Sequence, residues 1–502
     1  MTPNRPRLSL TTQGWSVITI LMISILLRWS LVVRGGQFYF SDEHRYETSQ
    51  KVAGVLLQGK VSEAFSQLFV APEHFGFKIM GVLPALVEHI VRPTLVIPAL
   101  FFSLFSVLNL YLIFLLSQRM GATWAESLVA LVIAASSQSL LYYSRHLMPY
   151  DSAMTFGLLS LYVALKKGAT TRTSLLCGAL GFFCFVTYNG YWILAGFAML
   201  CHVFAGEKNI VAFMRRVFGL AAGFAMPLIL TLILAKWAGV NILVEYTKFA
   251  NTVTQGDYSE GWSLPFEYFW HAEHFLILIL ALLSMYAIIN MVRKKEKTGV
   301  WWIAGIVFVY ACLWIFSVYF RSFVVLARLA RQMMPFLILL SAHGLAHLDE
   351  MRSSLQRIST MVVALIVVQG LWNYRYAFEL SYPREFSAQA QASYKDFNFS
   401  EKRMAFGAPT LCQNNGYVME NAKYFLEAPQ DEPIITGTVL LSHPHPINFW
   451  PYQYEGYKPD QRDAFRKANV QMVFYKIDDD FMSDTNPVWA GIKSCVVRED
   501  EE

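Results

Sequence analysis

The sequence WSVITILMISILLRWSLVV occupies residues 15–33 and decides the class of protein. A helix that crosses the roughly 30 Å hydrocarbon core of a membrane needs about 20 predominantly apolar residues, and this run meets that requirement. The rest of the 502-residue chain agrees, since 55% of its residues are hydrophobic and only 15% are charged. The sequence therefore predicts an integral membrane protein.

Further apolar runs bring the total to about eleven candidate membrane helices. The first run lacks the small-residue cleavage site of a signal peptide, so we expect it to remain as a helix. The other runs occupy residues 94–116, 123–141, 148–165, 173–187, 191–205, 217–235, 275–292, 300–320, 333–346 and 358–372.

The distribution of lysine and arginine predicts the orientation of these helices. With the N-terminus inside, the inner segments have about two to three times the basic density of the outer segments, as the positive-inside rule requires. An odd number of spans then places the C-terminal tail outside. The inner basic residues are Arg5, Arg7, Arg119, Lys166, Lys167, Arg172, Lys208, Arg215, Arg216, Arg293, Lys294, Lys295, Lys297, Arg352 and Arg357.

Two outer loops are long, at residues 34–93 and 236–274, and long ordered loops usually carry function. The sequence becomes polar after residue 375, which predicts a membrane module at residues 1–375 and a soluble domain at residues 376–502. The predicted architecture is a polytopic α-helical membrane protein with a C-terminal extracytoplasmic α/β domain. The expected elements of that domain are helices at residues 420–427 and 460–467 and strands at residues 434–441, 470–477 and 492–497.

The net charge of +5 is too small, over so long a chain, for a nucleic-acid-binding protein. The six cysteines form no CxxC pattern of a zinc or redox site. Only Cys412 and Cys495 lie in polar sequence, where they could form a disulfide in an oxidising compartment or remain free thiols.

The first outer loop opens with FYFSDEHRY at residues 38–46, which places Asp42 and Glu43 a few residues beyond a membrane span. Desolvation at a membrane surface raises the pKa of a carboxyl group and a neighbouring cation lowers it, so such a site can tune a general base. The same stretch is also compatible with a solvated loop that caps a helix at Ser41 or Asp42 and continues as an amphipathic helix to Leu57.

The stretch YSRHLMPYD at residues 143–151 lies at the outer junction of two predicted spans. Arg145 offers planar bidentate donors to a phosphate, and Asp151 could bind a metal, orient a substrate or pair with Arg145. An interfacial arginine that extends to water and a helix-capping aspartate are equally compatible with the spacing.

Three arginines, Arg321, Arg328 and Arg331, lie at the outer end of a later span, just before Pro335. Cations at that end work against the positive-inside bias, and polar groups at membrane depth are functional by default. They indicate an anionic ligand, and an interfacial helix that touches lipid headgroups is the alternative.

Histidines and glutamates in both long outer loops could jointly hold a divalent metal ion, although histidines at helix ends are more often structural. We expect His343 and His347, on the predicted inner side, to be structural, and His443-Pro444-His445 to form a turn. The candidate metal ligands are Glu73, His74, His271, Glu273 and His274.

Taken together, these features resemble the C-type glycosyltransferase superfamily, especially the branch of protein O-mannosyltransferases and lipid A aminoarabinose transferases. The resemblance extends over most of residues 10–375, and the order and sidedness of the motifs carry it. Where the family often has His-Pro-Pro in the first loop, this chain has Glu73-His74-Phe75. The motifs are Asp42-Glu43, Gly121-Ala122-Thr123-Trp124-Ala125-Glu126, Arg145 with Pro149 and Asp151, and Arg331 with Pro335.

The resemblance implies transfer of a sugar, with inversion, from a polyprenyl-phosphate donor to an acceptor hydroxyl at the outer face of the membrane. It implies Asp42 as the general base and Glu43 as the group that orients the acceptor or the base. The departing phosphate needs cations more than a general acid. Its candidate ligands are Arg145, Arg328 and Arg331, with Lys78 and Lys248 as lesser candidates, while Asp151 and Tyr46 are expected to orient the substrate.

The expected partners are a lipid-linked sugar donor, membrane lipids and a glycan, lipid or protein acceptor, with no nucleic acid and no cofactor beyond the divalent metal ion. Short loops and the absence of a eukaryotic targeting signal favour a bacterial inner membrane, with the N-terminus cytoplasmic and the tail periplasmic or extracellular. A transporter or flippase of lipid-linked sugars is the main alternative, but such proteins place charges near the bilayer midplane on broken helices related by repeats. A non-catalytic subunit that presents the tail domain and a polymerase or ligase of lipid-linked glycans are further alternatives.

Overall fold

The chain divides into two compact units, residues 1–33 with 45–375 and residues 34–44 with 376–502. The described elements of the first unit are helical, and those of the second are strands. The computed structural model describes residues 10–34, 45–91, 96–166, 170–204, 209–254, 263–296, 299–319, 327–351, 353–375, 404–407, 434–440 and 471–477.

Each predicted apolar run coincides with helical structure. Within the described ranges, four helices are long and apolar enough to cross a membrane by themselves, and a fifth span counts if a bent pair of segments is one crossing. The chain is therefore an integral membrane protein, and the number of about eleven spans stays a prediction. The four long helices are α1 (Leu10–Arg34), α5 (Val96–Arg119), α11 (Ile210–Trp237) and α14 (Phe275–Lys294).

The remaining helices of the first unit are shorter or more polar. Those that match predicted apolar runs are α6 (Trp124–Ser136), α7 (Gln138–Leu141), α8 (Tyr150–Ala164), α9 (Thr171–Thr187), α10 (Trp192–Phe204), α15 (Val300–Trp314), α17 (Met334–Met351) and α18 (Ser353–Arg375). Those in the two long outer loops are α2 (Arg45–Leu57), α3 (Val61–Val70), α4 (Phe75–Val91), α12 (Ile242–Thr254) and α13 (Leu264–Glu273), and the short α16 (Ala327–Ala330) precedes α17.

The helices pack closely where a glycine faces a neighbouring backbone. A Cβ atom at Gly223 of α11 would lie 2.1 Å from the carbonyl oxygen of Leu175 in α9. A Cβ atom at Gly344 of α17 would lie 2.1 Å from the carbonyl oxygen of Leu283 in α14. Helix association in lipid depends on such close packing, because lipid tails are as apolar as the helix surface. Any larger residue at either position would separate its helix pair.

The chain bends by 73° between α6 and α7. Glu273, at the end of α13, holds this bend. Its carboxylate accepts hydrogen bonds from Ser137 Oγ (2.7 Å) and from the backbone N–H groups of Gln138 (2.9 Å) and Ser139 (2.8 Å). An anionic cap of this kind satisfies the N–H groups that open a helix. The cap fixes the start of α7 and hence the 3₁₀ turn Tyr142–Arg145 that follows it.

The second unit contains a three-stranded sheet in the order β1-β2-β3. β1 (Met404–Gly407) pairs in parallel with β2 (Ile434–Leu440), and β2 pairs antiparallel with β3 (Gln471–Ile477). Strands β2 and β3 match two predicted strands, whereas the four residues of β1 are too few for an alternating pattern to show. The α/β character of the domain stays a prediction. The features that lie outside the described residues are the predicted helices at 420–427 and 460–467, the strand at 492–497, the turn at 443–445, Cys412 and Cys495.

Candidate functional site

Arg331 is the centre of a buried polar cluster at the predicted outer helix ends. It lies in a 3₁₀ turn before α17, and its Nη2 donates over 2.5 Å to Oδ1 of Asp151 in the first turn of α8. The Arg331 side chain is 0% exposed and the Asp151 side chain is 6% exposed. The Arg331 guanidinium lies 5.1 Å over the Tyr143 ring. Burial opposes the positive charge, but Asp151 outweighs this effect and raises the pKa of Arg331 above its ordinary value. Arg331 is therefore charged at any physiological pH.

Two nitrogen atoms of this guanidinium have no hydrogen-bond acceptor among the described residues. Arg331 Nε and Nη1 are buried and make no hydrogen bond within the part of the chain that the structure describes. A buried donor without an acceptor costs about 1–3 kcal/mol, and more when it is charged. Such atoms therefore point to a ligand, and an anionic oxygen is the acceptor that suits a guanidinium best.

Arg28 is a second buried cation, which was not among the residues predicted from the sequence. Its Nε donates to Ser106 Oγ over 2.8 Å. It lies close enough to Asp151 and Arg331 for their charges to act on it. We refer to Arg28, Tyr143, Asp151 and Arg331 as the Asp151 cluster, in which two cations face one carboxylate. The signal that could have revealed Arg28 was its place inside the apolar run of α1, because a charge at membrane depth is functional by default.

Arg145 lies on the 3₁₀ turn that also carries Tyr143. Its guanidinium lies 5.5 Å over the Tyr142 ring, and its Nε donates to His146 Nε2 over 3.4 Å. The residue is 1% exposed, which argues against an arginine that extends to the water interface. The partner that the structure gives Asp151 is Arg331, a pairing that the sequence did not suggest.

The link between α3 and α4 places Glu73 and His74 beside Lys78. Lys78 Nζ donates to Ala71 O over 2.8 Å and to Glu73 Oε1 over 3.1 Å. Burial lowers the pKa of Lys78, Glu73 partly offsets this effect, and the charge of Arg45 adds to it. His74 has a φ of 55°, a left-handed conformation that residues other than glycine rarely adopt. Strain of this kind often occurs at functional sites.

Buried aromatic rings connect His74 to the Asp151 cluster. Ring centroids are 4.9 Å apart between His74 and Tyr188, 4.9 Å between Tyr188 and Tyr150, and 5.1 Å between Tyr150 and Tyr143. Tyr143 is the ring over which Arg331 lies. We refer to Tyr143, Tyr150 and Tyr188 as the tyrosine ladder. No sequence spacing indicates it, because its members come from the ends of different helices.

An apolar cavity of about 370 Å³ adjoins the far end of the tyrosine ladder. Phe75, the residue after His74, lines it. Tyr246 also lines it, and its hydroxyl contacts the amide of Asn189, the residue after Tyr188. The walls come from α4, α9, α11 and α12 and include Phe75, Phe182, Phe224, Ile242, Tyr246 and Ala250.

Several predicted site residues lie beyond what the structure describes. Asp42 and Glu43 belong to residues 35–44, and Arg321 to residues 320–326, which are outside the described ranges. Only the backbone is described at Arg328 and His271. The general base and part of the phosphate-binding set therefore stay predictions.

Lys248 and Tyr46 have local partners. Lys248 is exposed on α12 and contacts Glu245 Oε1 at 2.9 Å. The buried Tyr46 hydroxyl donates to Glu88 Oε2 over 2.9 Å and ties α2 to α4. Burial and the adjacent Glu88 raise the pKa of Tyr46, so its hydroxyl stays neutral.

The predicted metal ligands do not form a group among the described side chains. Both carboxylate oxygens of Glu273 are used in the cap of α7, and Glu73 is in an ion pair. Within the described ranges, one group of three side chains has metal-ligand spacing, namely Glu296, His343 and His347. The two histidines, which we expect from the sequence to be structural, contact Glu126 and Glu296.

No protein-family model matches the sequence, and no curated protein matches it significantly. Among solved structures, ArnT from Cupriavidus metallidurans bound to undecaprenyl phosphate is 12% identical, with a TM-score of 0.52 over 85% of this chain and 93% of that chain. The apo state of the same protein is 11% identical, with a TM-score of 0.53 over 93% and 98%. This likeness shows the fold alone: the chain shares the fold of ArnT, as the sequence resemblance led us to expect.

Proposed function

We propose that the chain is an inverting glycosyltransferase that moves a sugar from a polyprenyl-phosphate donor to an acceptor hydroxyl at the outer face of the membrane. The observation that carries this proposal is the buried Arg331 guanidinium, whose Nε and Nη1 make no hydrogen bond among the described residues. The sequence resemblance and the fold shared with ArnT support the reaction class.

The charge change of the reaction suits the Asp151 cluster. The acceptor oxygen gives its proton to a base and bonds to the anomeric carbon from the face opposite the phosphate, while the bond from that carbon to the phosphate oxygen breaks. A phosphodiester becomes a phosphate monoester, so negative charge grows on the phosphate. Cations fixed beside that oxygen stabilise the charge as it develops. Arg331 and Arg28 are the proposed principal cations, and Arg145, Arg328, Lys78 and Lys248 are the further proposed phosphate ligands.

Asp42 is proposed as the base, with Glu43 orienting the acceptor or the base. The described carboxylates support this assignment because they have other roles. Asp151 is paired with Arg331, and Glu273 caps α7. Asp151 Oδ1 already accepts a hydrogen bond from Arg331 Nη2, so Asp151 is better suited to hold Arg331 in position.

The apolar cavity is proposed to hold the first isoprene units of the donor. Its volume of about 370 Å³ lies at the low end of ligand pockets, so the rest of a long prenyl chain would extend into lipid. The tyrosine ladder runs from this cavity to Arg331. ArnT, which shares the fold, binds undecaprenyl phosphate in its solved structure, and this supports a donor of the same kind.

We also propose that the N-terminus is cytoplasmic, that the Asp151 cluster faces the periplasm of a bacterial inner membrane and that the C-terminal domain is periplasmic. Two described contacts support the predicted grouping of the helix ends, and the distribution of lysine and arginine supports which group faces the cytoplasm. Arg331 pairs with Asp151, and both are predicted outside, whereas His343 contacts Glu126, and both are predicted inside.

The test is turnover of radiolabelled polyprenyl-phosphate sugars by purified protein in lipid, with an envelope extract as the source of acceptors. Released carrier and glycosylated product are both followed. The variants are Asp42→Asn and Arg331→Gln, and Arg172→Gln, an exposed arginine on α9, is the matched control. We expect the wild type and Arg172→Gln to release carrier, and the other two variants to release none.

Two results would contradict different parts of the proposal, the general base and the reaction class. Full activity of Asp42→Asn beside an inactive Arg331→Gln would remove Asp42 as the base and leave the phosphate site intact. Labelled lipid that crosses the bilayer without donor consumption, in the wild type and in Asp42→Asn alike, would instead favour a transporter.

A further inference from the structure

We propose that Glu296, His343 and His347 form a binding site for a divalent transition-metal ion, with Zn²⁺ as the best-suited ion. The site lies near the end of α17, whereas Arg331 lies directly before its start. It shares no residue with the metal ligands that the sequence suggested in the outer loops. We refer to Glu126, Glu296, His343 and His347 as the histidine cluster.

The spacing of the three ligands suits a tetrahedral ion. His343 and His347 are one helical turn apart on the same face of α17, with ring centroids 4.5 Å apart. Glu296 Oε2 lies 3.6 Å from His343 Nε2 and 3.2 Å from His347 Nε2. Two atoms that each lie about 2.0–2.1 Å from a tetrahedral zinc ion are about 3.4 Å apart. The two distances from Glu296 are therefore close to those that zinc requires, and all three ligand atoms lie within 4.8 Å of one another.

Glu126 orients the ligand atom of His343. Its Oε1 lies 2.8 Å from His343 Nδ1 and, as an acceptor, it favours the tautomer with the proton on Nδ1. The lone pair of Nε2 then faces Glu296. Histidines that bind metal usually donate their other ring N–H to a carboxylate in this way.

Two of the three atoms that face the proposed ion accept no hydrogen bond from the residues that the structure describes. His343 is 7% exposed, and its Nε2 makes no hydrogen bond within the described ranges. Glu296 Oε2 likewise accepts no hydrogen bond from a described residue, although it lies near both imidazole rings. Buried polar atoms that converge without hydrogen bonds indicate a ligand between them.

Lys294 competes with the metal ion. Its Nζ lies 3.1 Å from His347 Nδ1, and an ammonium group can only donate, so Nδ1 accepts and the proton of a neutral His347 is on Nε2. Coordination through Nε2 requires that proton to move to Nδ1 and Lys294 to turn away. Lys294 is exposed, so its side chain can turn into solvent. Metal binding and the contact of Lys294 with His347 are therefore mutually exclusive.

The bound ion would join separate elements of the bundle. Glu296 follows α14, the histidines lie on α17 and Glu126 lies in the first turn of α6. α14 and α17 are already in contact through Ser284 and Ser341, whose hydroxyl oxygens are 2.9 Å apart. Two imidazoles and one carboxylate leave a fourth position for water.

The test is titration of metal-free purified protein with Co²⁺, whose visible absorption reports tetrahedral coordination, followed by displacement with Zn²⁺. We expect one Co²⁺ per chain with a tetrahedral spectrum. His343→Gln and His347→Gln should each weaken binding at least about 100-fold, and Glu126→Gln about 10–100-fold. Lys294→Gln should strengthen binding, because it removes the competing cation. The matched control is His89→Gln, an exposed histidine on α4, which should bind as the wild type does.

Thermal unfolding of each metal-free variant shows which of them fold. The Lys294→Gln result is independent of folding defects, because misfolding does not increase affinity. A wild type that binds Co²⁺ no more tightly than the His343→Gln/His347→Gln double variant would overturn the proposal. Loss of the tetrahedral spectrum in His89→Gln would also overturn it, because the bound ion would then lie elsewhere.

Discussion

α17 connects two polar clusters of opposite character. Arg331, directly before α17, belongs to the Asp151 cluster, in which cations outnumber the carboxylate. His343 and His347, near the end of α17, face two glutamates. At 1.5 Å per residue, His343 is about 18 Å and His347 about 24 Å from Arg331 along the helix. In our proposals, the same helix thus carries an anion site at one end and a cation site at the other. The side chains of the neighbouring helices give each end its character.

The largest effect is expected from breaking the ion pair of the Asp151 cluster. Arg331→Gln leaves a buried carboxylate uncompensated, which costs about 3–5 kcal/mol. We expect loss of donor turnover and a clear fall in melting temperature. The double variant Arg331→Gln/Asp151→Asn should recover most of the stability but no turnover, because both members of the pair are then neutral and Arg28 keeps its hydrogen bonds to Ser106, Ser24 and Leu140. Carrier release and thermal unfolding are measured on the same preparations, and recovered turnover in the double variant would show that Arg331 only neutralises Asp151.

Glu126→Gln on α6 alters the histidine cluster at the other end of α17. The glutamine lacks the charge that favours the Nδ1 proton of His343, so we expect metal binding to weaken about 10–100-fold. Zn²⁺ at 100 times the wild-type Kd should stabilise the wild type by about 2.7 kcal/mol and the variant much less. Thermal unfolding with and without Zn²⁺ measures this difference. Equal stabilisation of both proteins would mean that Glu126 does not orient a metal ligand.

A third prediction concerns the apolar cavity at the far end of the tyrosine ladder. Ala250→Trp fills part of the apolar cavity, so we expect a roughly tenfold higher KM for donors with long prenyl chains, or about 1.4 kcal/mol. Donors with one or two isoprene units should be affected little. Val244→Trp, on α12 but outside this cavity lining, is the matched control. A change of KM that is uniform across chain lengths would contradict the assignment of the cavity to the prenyl chain.

The smallest effect is expected at Lys78 and depends on pH. Burial lowers the pKa of Lys78 in the folded protein below its ordinary value of 10.5. At a pH between these two pKa values, the unfolded chain therefore binds more protons than the folded protein. The stability that Lys78 contributes therefore rises with pH towards 10.5 and is lost as pH falls through the folded pKa. The difference in melting temperature between the wild type and Lys78→Met should shift in favour of the wild type as the pH rises through that window. A slope of the opposite sign for Lys78→Met would contradict the lowered pKa.

The sequence predicted the helices because a long apolar run in a membrane has few other solutions. It also identified Asp151 and Arg331 as polar groups at outer helix ends. It did not predict that they pair, since they are 180 residues apart and only tertiary packing joins them. Glu126 and His343 are 217 residues apart, so the sequence did not predict the histidine cluster for the same reason. Arg28 was overlooked although its position alone was informative.

The most direct test of the central claim is an experimental structure of the protein in lipid with undecaprenyl phosphate. We expect phosphate oxygens within hydrogen-bond distance of Arg331 Nε and Nη1, with the Asp151 pair intact and the first isoprene units in the apolar cavity. A phosphate bound elsewhere, with Arg331 in the same ion pair and its other N–H groups filled by protein or water, would contradict it.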